Sequence, residues 1–150
     1  MEFDYALLAD HAEVINGKLY LMGGGWDVRH APQAPARAQF AVALGIRVAW
    51  EETNLPIALR LALEDDDGAE LLRVDGQMQV GRPPQLPPGS SQLSATVVVM
   101  QVELPRFGGY RVRATATGPG GSVIDKALPF RMVQAGPPAG AGGPQPPGPG

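Results

Sequence analysis

The densest run of side chains able to do chemistry is Glu64-Asp65-Asp66-Asp67-Gly68, with Glu70 close behind. Loop-borne carboxylates are hard oxygen donors of the kind calcium takes, and Asp65, Asp66 and Asp67 are the candidate metal ligands. Calcium needs about six to eight oxygens, so a second acidic loop would have to contribute. Apart from Glu51-Glu52 the other connecting segments are poor in acids. A solvated hairpin turn closed by Asp-Gly accounts for the run more simply. The only histidines, His11 and His30, stand in no metal-type or triad-type spacing. Serine occurs at 90, 91, 94 and 122, without a Gly-x-Ser-x-Gly elbow. Gly23-Gly24-Gly25 runs into Trp26-Asp27-Val28-Arg29-His30-Ala31-Pro32. That is no helix start, so the glycines read as a bend between strands and not as a phosphate cradle. No catalytic constellation emerges and no cofactor is implied. A hydrolase with an acid pair assembled in space is the least favoured alternative.

Residues suited to contact are placed differently. Trp26 sits in the glycine-rich break beside Asp27, Arg29 and His30, and Trp50 is followed by Glu51, Glu52 and Asn54. Arg82 heads the proline-rich stretch Pro83–Pro88. Trp26, Asp27, Glu51, Glu52, Asn54 and Arg82 are therefore the candidate binding residues. The plainer reading is structural: Trp26 as a buried plug, Trp50 as the end of a core face, and the prolines as a rigid crossing.

The elements that must position these residues are strands. In 39–50, Phe40, Val42, Leu44, Ile46, Val48 and Trp50 fall on every second residue, and a period of two places them on one face. Phe3, Tyr5, Leu7 and Ala9 are expected to share a face in the same way, as are Ile57, Leu59, Leu61 and Leu63. Both faces of 95–104 are apolar, which predicts a central strand. Asn16-Gly17 predicts a two-residue hairpin turn, and Gly17 and Gly68 are assigned turn roles. Leu104–Val112 reads as a tyrosine corner, with the Tyr110 hydroxyl turned back onto backbone a few residues upstream. Pro129 argues for a bulge or an edge in the last strand. Together these predict an all-β, antiparallel, two-sheet immunoglobulin-like sandwich of about eight strands over 1–134. Residues 135–150 hold six Gly, six Pro, three Ala and one Gln, which predicts a disordered tail.

Composition narrows the class. Twelve Lys and Arg against fifteen Asp and Glu leave a net charge of −3, giving little support for nucleic acid or an anionic membrane. With no cysteine, disulfides, thiolate metal sites and cysteine nucleophiles are excluded. An acidic N-terminus without a long apolar run predicts a cytoplasmic protein.

Several segments resemble a family of short, mostly bacterial single-domain proteins catalogued as a domain of unknown function. They are Tyr5–Asp10, Gly17-Lys18-Leu19, Gly23–Asp27, Trp50–Asn54 and Val80–Gly89. Gln85 stands where that resemblance expects a small glycine. The resemblance implies a compact β domain and no assigned activity, so it carries over no functional residue. The expected function is a non-catalytic binding or accessory module acting through protein–protein contact. The alternative is a calcium-dependent lipid- or ligand-binding sandwich using Asp65–Asp67. The outward residues Ala41, Ala43, Gly45 and Ala49 are apolar for a solvent face. That face is expected to be covered by another element of the chain or by a second protomer, so the partner is an unknown protein or a second copy.

Overall fold

Alternation over 36–48 builds the longest uninterrupted ladder in the computed structural model, which describes residues 1–136. The tail expected over 135–150 thus falls outside the described residues from residue 137 onward. Among the described residues nine strands form, one more than the pattern suggested. They are β1 (Glu2–Ile15), β2 (Lys18–Gly24), β3 (Val28–Ala31), β4 (Ala36–Val48), β5 (Pro56–Asp65), β6 (Glu70–Gln79), β7 (Gln92–Leu104), β8 (Gly108–Thr117) and β9 (Val123–Gln134). One sheet has the order β2-β1-β4-β7 and the other β3-β9-β8-β5-β6.

The two sheets face each other across the main core. Phe40, Val42, Leu44 and Ile46 of β4 meet Leu59, Leu61 and Leu63 of β5, together with residues of β8 and β9. Phe40 and Phe130 touch across the layer, with ring centroids 5.6 Å apart. β3, the strand missed from sequence, is four residues long and runs parallel to the end of β9. It is too short and too polar (Val-Arg-His-Ala) to show a period. It reaches only Arg131–Gln134, so β9 has a free edge at Pro129, which lacks a backbone donor.

Three strand assignments are corrected. In β1 the register slips between Phe3 and Tyr5, leaving Asp4 as an extra residue. Such a bulge reverses the faces beyond it. Phe3, Ala6 and Leu8 therefore join the main core, while Ala9 packs on the opposite side. β7 is an edge strand and not a central one. Its outer face is apolar for another reason: Val97 lies in a second cluster with Ala9, Ala12, Ala41, Ala43, Leu19 and Leu21. Finally, β4 ends at Val48, and Trp50 opens a 3₁₀ turn, Trp50–Glu52, which removes it from the inward face.

That second cluster answers what covers the alanine face. The hairpin formed by β1 and β2 folds its Ala12, Leu19 and Leu21 over Ala41 and Ala43, which are 2% and 0% exposed. Gly45 lies under the Tyr5 ring, where any Cβ would collide with it. The chain covers this face itself, so the alanines give no ground for a second protomer there.

Candidate functional site

The six candidate binding residues divide between opposite ends of β4. Trp26 packs edge-on against Phe40, near the start of that strand, whereas the Trp50 turn follows its other end. Eight residues of strand separate Phe40 from Val48, about 26 Å at 3.3 Å per residue. No single site can include both.

At the Trp50 end the polar groups are turned inward. Glu52 Oε2 accepts the Ala49 N–H at 2.9 Å and the N-terminal ammonium of Met1 at 3.0 Å. The buried Thr53 donates its hydroxyl to the Trp50 carbonyl at 2.6 Å. Arg82 lies 4.5 Å over the Trp50 ring and donates to the Trp50 carbonyl at 2.8 Å and to the Thr53 hydroxyl. Asn54 takes a left-handed φ of 61° and its N–H reaches the Val80 carbonyl at 2.7 Å. Arg82, Glu52, Thr53 and Asn54 thus clamp the β4–β5 and β6–β7 connections and the N-terminus together, while Glu51 is exposed.

This clamp makes a pH prediction. Burial pushes the Glu52 pKa up, but the Ala49 N–H and the Met1 ammonium outweigh it, and the net shift is downward. Glu64 is also lowered, foremost by its hydrogen bond from Arg111 and against a smaller opposing effect of burial. A carboxylate whose folded pKa lies below its unfolded value contributes stability above the unfolded value. It loses that contribution as pH falls through the folded one. Thermal unfolding followed from about pH 7 to about pH 3 is expected to show falling stability below the ordinary carboxylate range. In the Glu52→Gln/Glu64→Gln variant that slope should flatten, and an unchanged slope would refute the assignment.

At the other end, the carboxylates of the acidic turn each have an internal partner. Asp65 Oδ1 accepts the N–H groups of Asp67 and Ala69, both at 2.9 Å. Asp65 Oδ2 and Asp67 Oδ2 each take Arg106 Nη2 at 3.0 Å, and Asp66 accepts the Gly109 N–H at 3.1 Å. Gly68 closes the turn at φ 80°. Among the described residues, no three His, Asp or Glu side chains stand close enough to hold a metal ion. Tyr110 makes the expected corner: its hydroxyl donates to the Arg106 carbonyl and accepts the Arg106 N–H at 3.2 Å.

Trp26 is half-plug, half-surface. Its ring meets Phe40 and Phe130 edge-on at 5.7 and 5.8 Å, and its buried Nε1 has no hydrogen-bond partner. The Arg29 guanidinium sits 5.2 Å over the same ring. Together they line a shallow cleft of about 340 Å³ with Asp10, Val28 and His30. Asp27 is used through its backbone, its carbonyl accepting the Arg131 N–H at 2.8 Å.

Beside this cleft rises the hairpin of β1 and β2, turned at Asn16 and Gly17 with φ of 52° and 73°. It carries Val14, Ile15, Tyr20 and Met22, four of the nine large apolar residues exposed among those described. Met22 is 72% exposed and Tyr20 52%, although Leu19 and Leu21, which alternate with them, are packed inward. Sequence reading missed these residues. The available signal was that Leu19-Tyr20-Leu21-Met22 is apolar on both faces, one more than a single cover requires.

The model of the Family of unknown function (DUF6941) matches residues 4–119. No curated protein matches the chain. Among solved structures, the X-ray structure of the Northeast Structural Genomics Consortium target SoR45 is 18% identical, over 69% of this chain and 78% of that one, with a TM-score of 0.30. The crystal structure from Bordetella pertussis that carries the name ApaA is 16% identical, over 87% and 95%, with a TM-score of 0.32. No helix among the described residues is long and apolar enough to cross a membrane.

Proposed function

The chain belongs to this family of unknown function, and from that premise we propose that it is a non-catalytic protein-binding module that makes contact through the hairpin of β1 and β2. The observation that carries the reading is the exposed set Ile15, Tyr20 and Met22, which the register of β1 and β2 puts on one face of that hairpin. Apolar residues scattered singly over a surface are ordinary, whereas a group on one face of a single element marks a contact site. Asp10, Arg29 and His30 at its base supply the polar rim that such interfaces have.

The frame beneath is of immunoglobulin-like topology in this reading. Three features support it: the run β9-β8-β5-β6 in one sheet, the facing run β1-β4-β7, and the Tyr110 arch at the start of β8. Against that frame the hairpin is an addition, since β2 extends the sheet beyond β1 and β3 then crosses to the other sheet beside β9. An absence of cysteine supports a reducing, cytosolic setting.

A photo-crosslinking side chain at position 20 or 22, in the full chain and in the producing cell, is expected to give a discrete protein adduct. Tyr20→Ser/Met22→Ser, both at exposed positions, should leave the unfolding midpoint in place and weaken that association by about tenfold or more. Adducts that survive the double substitution, or no adduct from either position, would overturn the reading.

A further inference from the structure

We propose that the free edge of β7 pairs antiparallel with β7 of a second copy of this chain, across a twofold axis at Val98. This surface is distinct from the hairpin. β7 is thirteen residues long and all thirteen are in unbroken register with β4, from Ala36↔Leu104 to Val48↔Gln92. Among the described residues its other side has no strand neighbour. Edge strands are normally protected by charge, proline, a bulge or brevity. β7 is long, unbulged and free of proline, and its single charged residue, Glu103, stands near one end.

The composition of the strand selects the occupant. Full overlap of two antiparallel copies places Gln92 opposite Leu104 and Val98 opposite itself. Val97 then faces Val99 of the other copy, and Leu93 faces its Glu103. These partners share parity, so outward side chains meet outward side chains and backbone donors meet acceptors. Val99 and Leu93, 53% and 47% exposed in the single chain, both gain a cross-strand neighbour.

Charge favours the same arrangement. Antiparallel pairing sends the two Glu103 carboxylates to opposite ends of the joint, while parallel pairing would set them side by side. On β4, Arg47 is the register partner of Leu93. Glu103 of the second copy therefore arrives two strand spacings from Arg47, about 9.6 Å between backbones and within reach of the two side chains. Arg47 binds Asp4 through Nε and Nη2, and its Nη1 has only a 3.5 Å contact with Ser91 Oγ. That long contact can be exchanged for the incoming carboxylate, a stronger, charged acceptor.

Sedimentation of the full chain over a dilution series is expected to show a monomer–dimer equilibrium. Val99→Lys sets an exposed charge on the joint and should weaken the dimer by about tenfold or more while the circular dichroism spectrum stays unchanged. Because the chain has no cysteine, register can be read directly. A mixture of Val97→Cys and Val99→Cys chains should form the mixed disulfide in preference to either homodisulfide, whatever the folding of the lysine variant. A monomer at every concentration, a dimer indifferent to Val99→Lys, or crosslinking without preference for the 97–99 pair would each overturn the proposal.

Discussion

Phe40→Ala is expected to cost about 3–5 kcal/mol, the range for deleting a fully buried aromatic side chain. Phe40 is 0% exposed and lies at the centre of an aromatic group, 5.7 Å from Trp26 and 5.6 Å from Phe130. Its loss removes the ring's own burial and also leaves a cavity that two edge-on partners cannot fill without abandoning β3 or β9. For a domain of this size the midpoint should fall by roughly 10–15 °C. The same substitution reports on the candidate site, because Trp26 rests on Phe40 and Arg29 stacks over both rings, 5.7 Å from Phe40. In a Trp50→Phe background, where Trp26 is the single indole, the emission should shift to the red as its ring becomes wetter. A midpoint within a few degrees of the parent would mean that the sheets are not closed here as described.

Tyr110→Phe carries the second large effect, about 1–3 kcal/mol, for one oxygen atom. The ring remains and stays stacked on Phe130 with centroids 5.6 Å apart, so little burial is lost. The hydroxyl, however, serves both the carbonyl and the N–H of Arg106. Without it, two backbone groups at the β7–β8 connection lose their partner in a partly buried place. Arg106 in turn holds Asp65 and Asp67, so the loss is transmitted to the β5–β6 turn. Urea unfolding should show a lower midpoint at unchanged slope, with faster hydrogen exchange at the Arg106 amide. A stability within about 0.5 kcal/mol of the parent would show that the corner contributes nothing beyond the ring.

Periodicity and turn chemistry by themselves determined that this is an all-β chain, where most strands lie, the Asn16-Gly17 turn and the Tyr110 corner. These are local matters: a period of two exposes one face, and a left-handed φ at Gly17 or Gly68 is a property of the residue and its neighbours. What only the tertiary structure decided depends on contacts distant in sequence. The Asp4 bulge reverses the faces of β1, yet no residue type announces it. β7 looks central because both its faces are apolar, but strand order is set by which partners dock. Here the second apolar face is explained by Leu19 and Leu21 arriving from a hairpin about eighty residues earlier. The site followed the same division. Trp26 and Trp50 could be singled out by type, but a single strand, β4, places them at opposite ends of the molecule. The contact residues proposed here, Tyr20 and Met22, became visible only once their neighbours were seen to be occupied with the alanine face. Residue type tells which side chains can make a contact, and packing alone tells which of them remain free to do so.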